Sequence, residues 1–228
     1  MKNNAKRTLA AGICLLAAFI LLTVFIMNVD VKPSGQSGAD VGLSTLNEWF
    51  FGLTGVHMTV YTITDWLGLV PIAVCICFAV LGLSQLIRRR SLKKVDADIL
   101  LLGAYYIVVI LGYLVFEMIP INCRPILING AKEASYPSST TVLVLSVMPT
   151  LVFQINRRSR SADFKAAVCI FAVLFSAFMV IGRLTAGVHW LTDIVGGVLL
   201  SAGLYLLYRS AVMLTDRKRN DFQEKNDE

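Results

Sequence analysis

The hydrophobic positions of this chain gather into six long runs, at approximately residues 8–28, 66–87, 98–119, 138–156, 166–186 and 190–212. Each run is nearly free of charge and about as long as the roughly 20 residues a helix needs to cross ~30 Å of hydrocarbon. Hydrocarbon offers backbone N–H and C=O groups no partner, so each run predicts a helix that satisfies its own backbone. The expected fold is all-α, a polytopic membrane protein built as a six-transmembrane-helix bundle. The longest outer connection, 29–65, carries a smaller pattern. Leu43, Leu46, Phe50 and Leu53 recur at helical spacing, with Trp49 and Phe51 beside them. They predict a short helix that lies in the membrane interface or closes over the bundle as a lid. The stretch Lys32 to Gly38 before it has the composition of a flexible loop. The chain divides into an N-terminal helix with its outer loop (1–65), a core bundle (66–214) and a polar, charged tail (215–228) expected to be disordered.

Composition agrees with this pattern. Of the 228 residues, 56% are hydrophobic and the mean hydropathy is +0.69, above the roughly 45–50% apolar content of soluble domains. The net charge of +6 would suit nucleic acid, but its placement excludes that reading. With both termini cytoplasmic, 17 of the 21 Lys and Arg fall on the inner side, and only Lys32, Arg124, Lys132 and Arg183 lie outside. That asymmetry sets the orientation. Residues 8–28 read as a retained anchor, because they are long for a signal segment and no small-residue cleavage pattern follows. Short basic loops and a minimal tail give the chain a bacterial look, which places it in the plasma membrane. Cys14, Cys75, Cys77 and Cys169 lie in apolar runs and only Cys123 is near an outer loop, so no disulfide framework or metal site is expected.

Two of the outer cations sit at helix ends against the charge bias, and chemistry gathers around them. Asp193 follows His189 by four residues, which on a helix puts both on one face. A carboxylate there fixes one imidazole nitrogen and leaves the other free to act. The bland alternative is a structural His–Asp bond that ties two helices. Tyr136-Pro137-Ser138-Ser139-Thr140-Thr141 has the form of a capped helix N-terminus, whose free amides and positive dipole end favour an anion. Arg124 and Arg183 offer forked N–H donors that match phosphate oxygens; snorkelling at the interface is the bland alternative.

These residues resemble the type 2 phosphatidic acid phosphatase (PAP2) family, whose signature is K-x6-R-P, then P-S-G-H, then S-R-x5-H-x3-D. Arg124-Pro125, Pro137-Ser138 and Arg183-x5-His189-x3-Asp193 occur in that order, and the resemblance spans roughly residues 66–212. It implies that His189 is the nucleophile that forms a phosphohistidine and that Asp193 orients it. It also implies that Arg124, Arg183, Ser138, Ser139 and Thr140 bind phosphate, and that no metal or organic cofactor is used. The chain departs from the pattern at Glu117 (lysine in the family), Thr140 (histidine) and Gly182 (serine). A glutamate for lysine turns attraction for phosphate into repulsion, and the lost histidine removes a proton donor worth a hundredfold or more. Two residues, Glu117 and His57, offer compensation. Glu117 donates a proton itself or pairs with Arg124 or Lys132, and His57 folds in from the outer loop. A diphosphate substrate needs the donor least, because it expels a phosphate monoester. The expected function is a lipid phosphatase or diphosphatase at the outer leaflet, with a polyprenyl diphosphate favoured. Its partners are the bilayer and a lipid (di)phosphate, not nucleic acid. A lipid-linked phosphotransferase and a non-catalytic lipid-binding or transport-associated protein are the alternatives.

Overall fold

The computed structural model describes residues 2–227. In chain order it comprises α1 (Lys2–Asn28), the strands β1 (Lys32–Ser34) and β2 (Ala39–Val41), α2 (Ser44–Thr54), α3 (Met58–Leu67), α4 (Leu69–Arg89), α5 (Ala97–Met118), α6 (Ser139–Arg158), α7 (Ala162–Thr185) and α8 (Leu191–Asp227). Six stretches among the described residues are long and apolar enough to cross a membrane: Asn3–Asn28, Met58–Arg89, Ala97–Met118, Ser139–Arg158, Ala162–Thr185 and Leu191–Arg219. The expected multi-pass helical bundle is the observed fold. Large apolar side chains on its outside, such as Phe171, Leu174 and Phe178 on α7, are exposed, as a lipid-facing surface requires.

Helix α8 is the axis. It packs along α1, where Ser210 Oγ donates to Ala5 O at 2.9 Å. It also meets α5 and α6 in a core that includes Phe19, Ile26, Leu102, Tyr105, Tyr136, Val142 and Tyr208. Buried polar groups pin the register between helices. Tyr105 OH donates to Ser146 O at 3.0 Å, and Gln154 Nε2 donates to Tyr208 OH at 2.6 Å. At the basic ends of α6 and α8, Asp98 pairs with Arg157 and Arg158 at 3.3 and 2.8 Å, and Arg157 also pairs with Asp216 at 2.7 Å. One end of the bundle is thus locked by ion pairs, and the opposite end is left to the site.

Three expectations need correction. The second span starts at Met58, eight residues before the expected 66, because α3 continues into α4 through Gly68, which keeps helical φ and ψ. Its threonines do not break it, since Thr62 and Thr64 return their hydroxyls to the carbonyls of Met58 and Val60. The stretch Lys32 to Gly38 is ordered, because β1 and β2 pair antiparallel with Lys32 opposite Val41. Gln36 at its tip is held by Pro125 O (2.8 Å), and its Oε1 accepts from Leu127 N (3.2 Å). The tail expected to be disordered continues α8 through Asp227. No glycine or proline follows Gly203 to stop the helix, and Arg217 and Asp221 pair one turn apart at 3.4 Å.

Helix α2 occupies the position the periodicity assigned to it, but its fully buried residues are polar, with Phe51 packed inward beside them. Ser44 and Asn47 are buried, whereas Leu46, Trp49 and Leu53 point outward. Asn47 explains the inversion. Its Oδ1 accepts from Thr192 N (3.2 Å) and its Nδ2 donates to Thr192 Oγ1 (3.0 Å). It therefore caps the first turn of α8, where the site begins.

Candidate active site

The site grows from the start of α8. Asp193 Oδ2 reaches back to accept Trp190 N at 2.8 Å, satisfying one of the amides that open the helix. The carbonyl of Asp193 accepts Ser138 N at 3.0 Å, which docks the start of α6 on the start of α8. His189 lies two residues before the helix. The expectation that His189 and Asp193 share a helix face is therefore corrected: the helix starts between them, and the Asp193 carboxylate comes near His189 by folding back onto the amide of Trp190. Gly187 has φ +68°, and a Cβ there would lie 2.0 Å from Gly55 O, so a side chain is excluded on both counts. His189 Nδ1 stands 3.6 Å from Asp193 Oδ2, inside ion-pair range and longer than a hydrogen bond. Burial pushes the imidazole pKa below its ordinary value of 6.5. The charges of Arg124 and Arg183 push the same way, and Asp193 opposes them. Burial and the two cations win, so the ring is a neutral base at neutral pH.

Arg124 arrives on a hairpin. Ile128 and Ala131 pair across Asn129-Gly130, and both turn residues have positive φ (52° and 77°), as a two-residue Asn-Gly turn requires. Further along, Cys123 pairs with Ala134, and Arg124 N donates to Glu133 O at 3.0 Å. Trp190 fixes this hairpin to the His189 loop, because its Nε1 donates to Cys123 O at 2.7 Å from a position only 1% exposed. The carbonyl next to Arg124 is thereby anchored by the residue next to His189. The partner of Arg124 is Glu133, with Nε and Oε2 3.0 Å apart, and not the expected Glu117.

Arg183, near the end of α7, is buried and donates to Asp65 Oδ1 at 3.0 Å and to Thr140 Oγ1. The guanidiniums of Arg183 and Arg124 lie over the same Tyr61 ring, 5.0 and 5.9 Å from its centre, within cation–π range. Helix α3 supplies both Tyr61 and Asp65. It approaches α7 at Gly182, where a Cβ would stand 2.7 Å from Thr64 Cγ2. Two departures from the family pattern therefore act together. Gly182 makes room for α3, and Thr140 takes a hydrogen bond from the arginine that α3 holds.

A cavity of about 220 Å³ joins these parts. Arg124, Ser139, His189, Glu117, Glu133 and Ser135 are in its wall, with Tyr113, Phe116 and Leu200 on its apolar side. Arg183, Asp193, Ser138 and Thr140 are not in that lining. Ser138 is fully buried, with its amide given to Asp193 and its Oγ accepting from Thr141 Oγ1 at 3.1 Å. The amides of Ser139, Thr140 and Thr141 donate no hydrogen bond among the described residues. The side-chain atoms Arg124 Nε and Nη1, Arg183 Nε and Nη1, both His189 nitrogens and Asp193 Oδ1 are likewise buried without a hydrogen-bond partner. Lys132, in the hairpin, is exposed and outside the cavity wall. His57 is also outside it, exposed, with Nε2 3.0 Å from Thr54 O at the start of α3.

Sequence reasoning missed Glu133, Tyr61, Asp65, Trp190 and Asn47. Asn129-Gly130 signals the hairpin, but its register, Ile128 opposite Ala131, would set Arg124 against Ser135; the pairing has shifted by two where Cys123 meets Ala134, so nothing local pointed to Glu133. Asp65 and Tyr61 were hidden because they belong to a span whose start was set too late.

The sequence model of the PAP2 superfamily matches residues 93–216. Among curated proteins, none matches the chain. A solved structure is similar: the crystal structure of the first transmembrane PAP2 type phosphatidylglycerolphosphate phosphatase from Bacillus subtilis. It superposes with a TM-score of 0.64 at 17% identity, over 89% of this chain and 96% of that one. At that identity the likeness is one of fold.

Proposed function

The chain belongs to the PAP2 superfamily, and from that premise we propose that it is a membrane phosphatase acting on a lipid phosphate or diphosphate at the outer leaflet. The observation that carries the reading is the convergence of unpartnered buried donors. Arg124 and Arg183 each keep two buried side-chain nitrogens undonated; beside them the first turn of α6 keeps three amides without a partner, as a helix start does. Buried donors without partners are rare in folded proteins. A phosphoryl group between them and His189 would satisfy them together and would be held by charge-assisted bonds.

The chemistry follows from the same atoms. Asp193 holds the Nδ1 side of His189, so Nε2 carries the lone pair that attacks phosphorus. The bond to the lipid oxygen breaks as the N–P bond forms, and the guanidiniums and α6 amides take up the negative charge on the remaining oxygens. Water then attacks the phosphohistidine and releases phosphate. Thr140, which accepts from Arg183, carries only an alcohol proton and is too weak an acid to protonate the leaving group as a histidine would. A diphosphate, which expels a phosphate monoester, needs such a proton least. This favours a polyprenyl diphosphate over a simple monoester. In this arrangement α2 lies in the headgroup layer with Leu46, Trp49 and Leu53 toward lipid, and both termini are cytoplasmic in the plasma membrane.

The test is phosphate release by purified wild type and His189→Ala from a polyprenyl diphosphate, phosphatidylglycerol phosphate and phosphatidic acid. Turnover that is fastest on the diphosphate and absent in the variant supports the reading. A preference for phosphatidic acid sinks the diphosphate assignment. No release from any substrate by folded wild type sinks the phosphatase.

A further inference from the structure

Arg124 and Glu133 face each other across the 122–135 hairpin, and the backbone holds them there through Arg124 N to Glu133 O at 3.0 Å. Their side chains meet with Nε and Oε2 3.0 Å apart, yet the contact is out of line for a hydrogen bond, and Nε and Nη1 of Arg124 remain undonated. The two ends differ in burial. The Arg124 side chain is 11% exposed and that of Glu133 is 39% exposed. Both line the cavity that holds His189. A nearly buried cation is thus paired with a carboxylate that can swing to water about its own torsions without moving the hairpin.

Carboxylate and phosphate are rivals for one guanidinium fork. A phosphoryl group that takes Arg124 must displace Glu133, and product phosphate meets the same carboxylate on its way back. Arg124, Arg183 and three free amides would otherwise grip orthophosphate as firmly as the phosphoryl group of a substrate. Equal grip on the ground state and product adds nothing to turnover. Resting on the phosphate site proposed above, we propose that Glu133 is a specificity-determining residue. It is a tethered competing anion that weakens the hold of Arg124 on phosphate and speeds release of the product.

The experiment uses the full chain in detergent, with inorganic phosphate and orthovanadate as probes. Both are read as inhibitors of turnover and by direct titration. Glu133→Gln keeps the shape and removes the charge. It is expected to tighten both probes about tenfold or more, because a charge that faces the ligand is lost. KM and kcat should fall together while kcat/KM changes less, the pattern of slowed release. A merely structural role would weaken the probes and raise KM instead. Glu117→Gln removes the same charge from the cavity wall without touching Arg124, and it should tighten the probes by about threefold or less. In an Arg124→Gln background the Glu133→Gln effect should vanish. The proposal is overturned if Glu133→Gln leaves phosphate affinity unchanged, if Glu117→Gln matches it, or if the effect survives without Arg124. Each of those outcomes leaves the phosphate site standing. If wild type and Glu133→Gln both fail to bind phosphate and vanadate, the site itself falls, and this inference with it.

Discussion

Trp190→Phe isolates the contact that assembles the site. The indole N–H donates to Cys123 O at 2.7 Å, while the ring packs against Phe51 with centroids 5.7 Å apart. Phenylalanine keeps most of the packing and removes the donor. The net loss of a hydrogen bond is about 1 kcal/mol, and a carbonyl left buried without a partner brings the cost to about 1–3 kcal/mol. For a chain of this size that is a melting temperature lower by about 2–10 °C. The larger effect falls on chemistry. Cys123 adjoins Arg124 and Trp190 adjoins His189, so freeing this contact lets cation and nucleophile drift relative to each other. Misplacement near 1 Å costs on the order of a hundredfold, so kcat/KM should fall by ten- to a hundredfold at a temperature well below melting. Tyr208→Phe is the control. It removes the acceptor of the 2.6 Å bond from Gln154, toward the basic ends of α6 and α8 and away from the site, and should lower stability comparably with kcat/KM intact. Phosphate release and thermal unfolding measured on both variants decide the matter. If Trp190→Phe loses stability but keeps kcat/KM, the reasoning that this bond positions the site is wrong.

Other expectations follow from the same geometry. Gly187→Ala should lower activity and stability together, since it combines a positive φ with a Cβ 2.0 Å from Gly55 O; purified variant with normal melting would contradict this. Activity should persist as pH falls past 6.5, the ordinary imidazole value, because the pKa of His189 is depressed and the base stays neutral. In Asp193→Asn, loss of the opposing carboxylate should move that acid limb lower still while kcat falls; a limb at or above 6.5 in wild type refutes the depression. The linkage sign is fixed too. Below 6.5 the unfolded chain binds the His189 proton before the folded one, so this group's contribution to stability declines as pH drops toward the folded pKa. His189→Gln should flatten that dependence in pH-resolved unfolding. Gly182→Ser should push α3 from α7, loosen the Asp65–Arg183 pair at 3.0 Å and raise KM more than it changes kcat.

What the sequence made legible was what obeys a single periodicity or a fixed spacing. Six spans follow from apolar run length, because hydrocarbon leaves the backbone no other option. The clustering of Arg124, Ser139 and His189 was inferred from charge asymmetry and motif order, and the three residues share one cavity wall. The contacts that specify the site were less visible, because they join residues far apart in the chain. Asn47 caps a helix that begins 144 residues later at Leu191. Asp65 reaches Arg183 across 118 positions. Nothing local marks either residue. His189 and Asp193 were assigned to one helix face on spacing alone, whereas the helix starts between them and the Asp193 carboxylate folds back to the amide of Trp190.

The central claim is that His189 Nε2 becomes phosphorylated during turnover. Rapid quench of the purified protein with a lipid substrate labelled in its terminal phosphate, followed by peptide mapping, tests it most directly. The account predicts label on the peptide that contains His189, labile to acid and stable to base, and neither label nor turnover in His189→Ala. Label on another residue, or sustained turnover by His189→Ala, would contradict it.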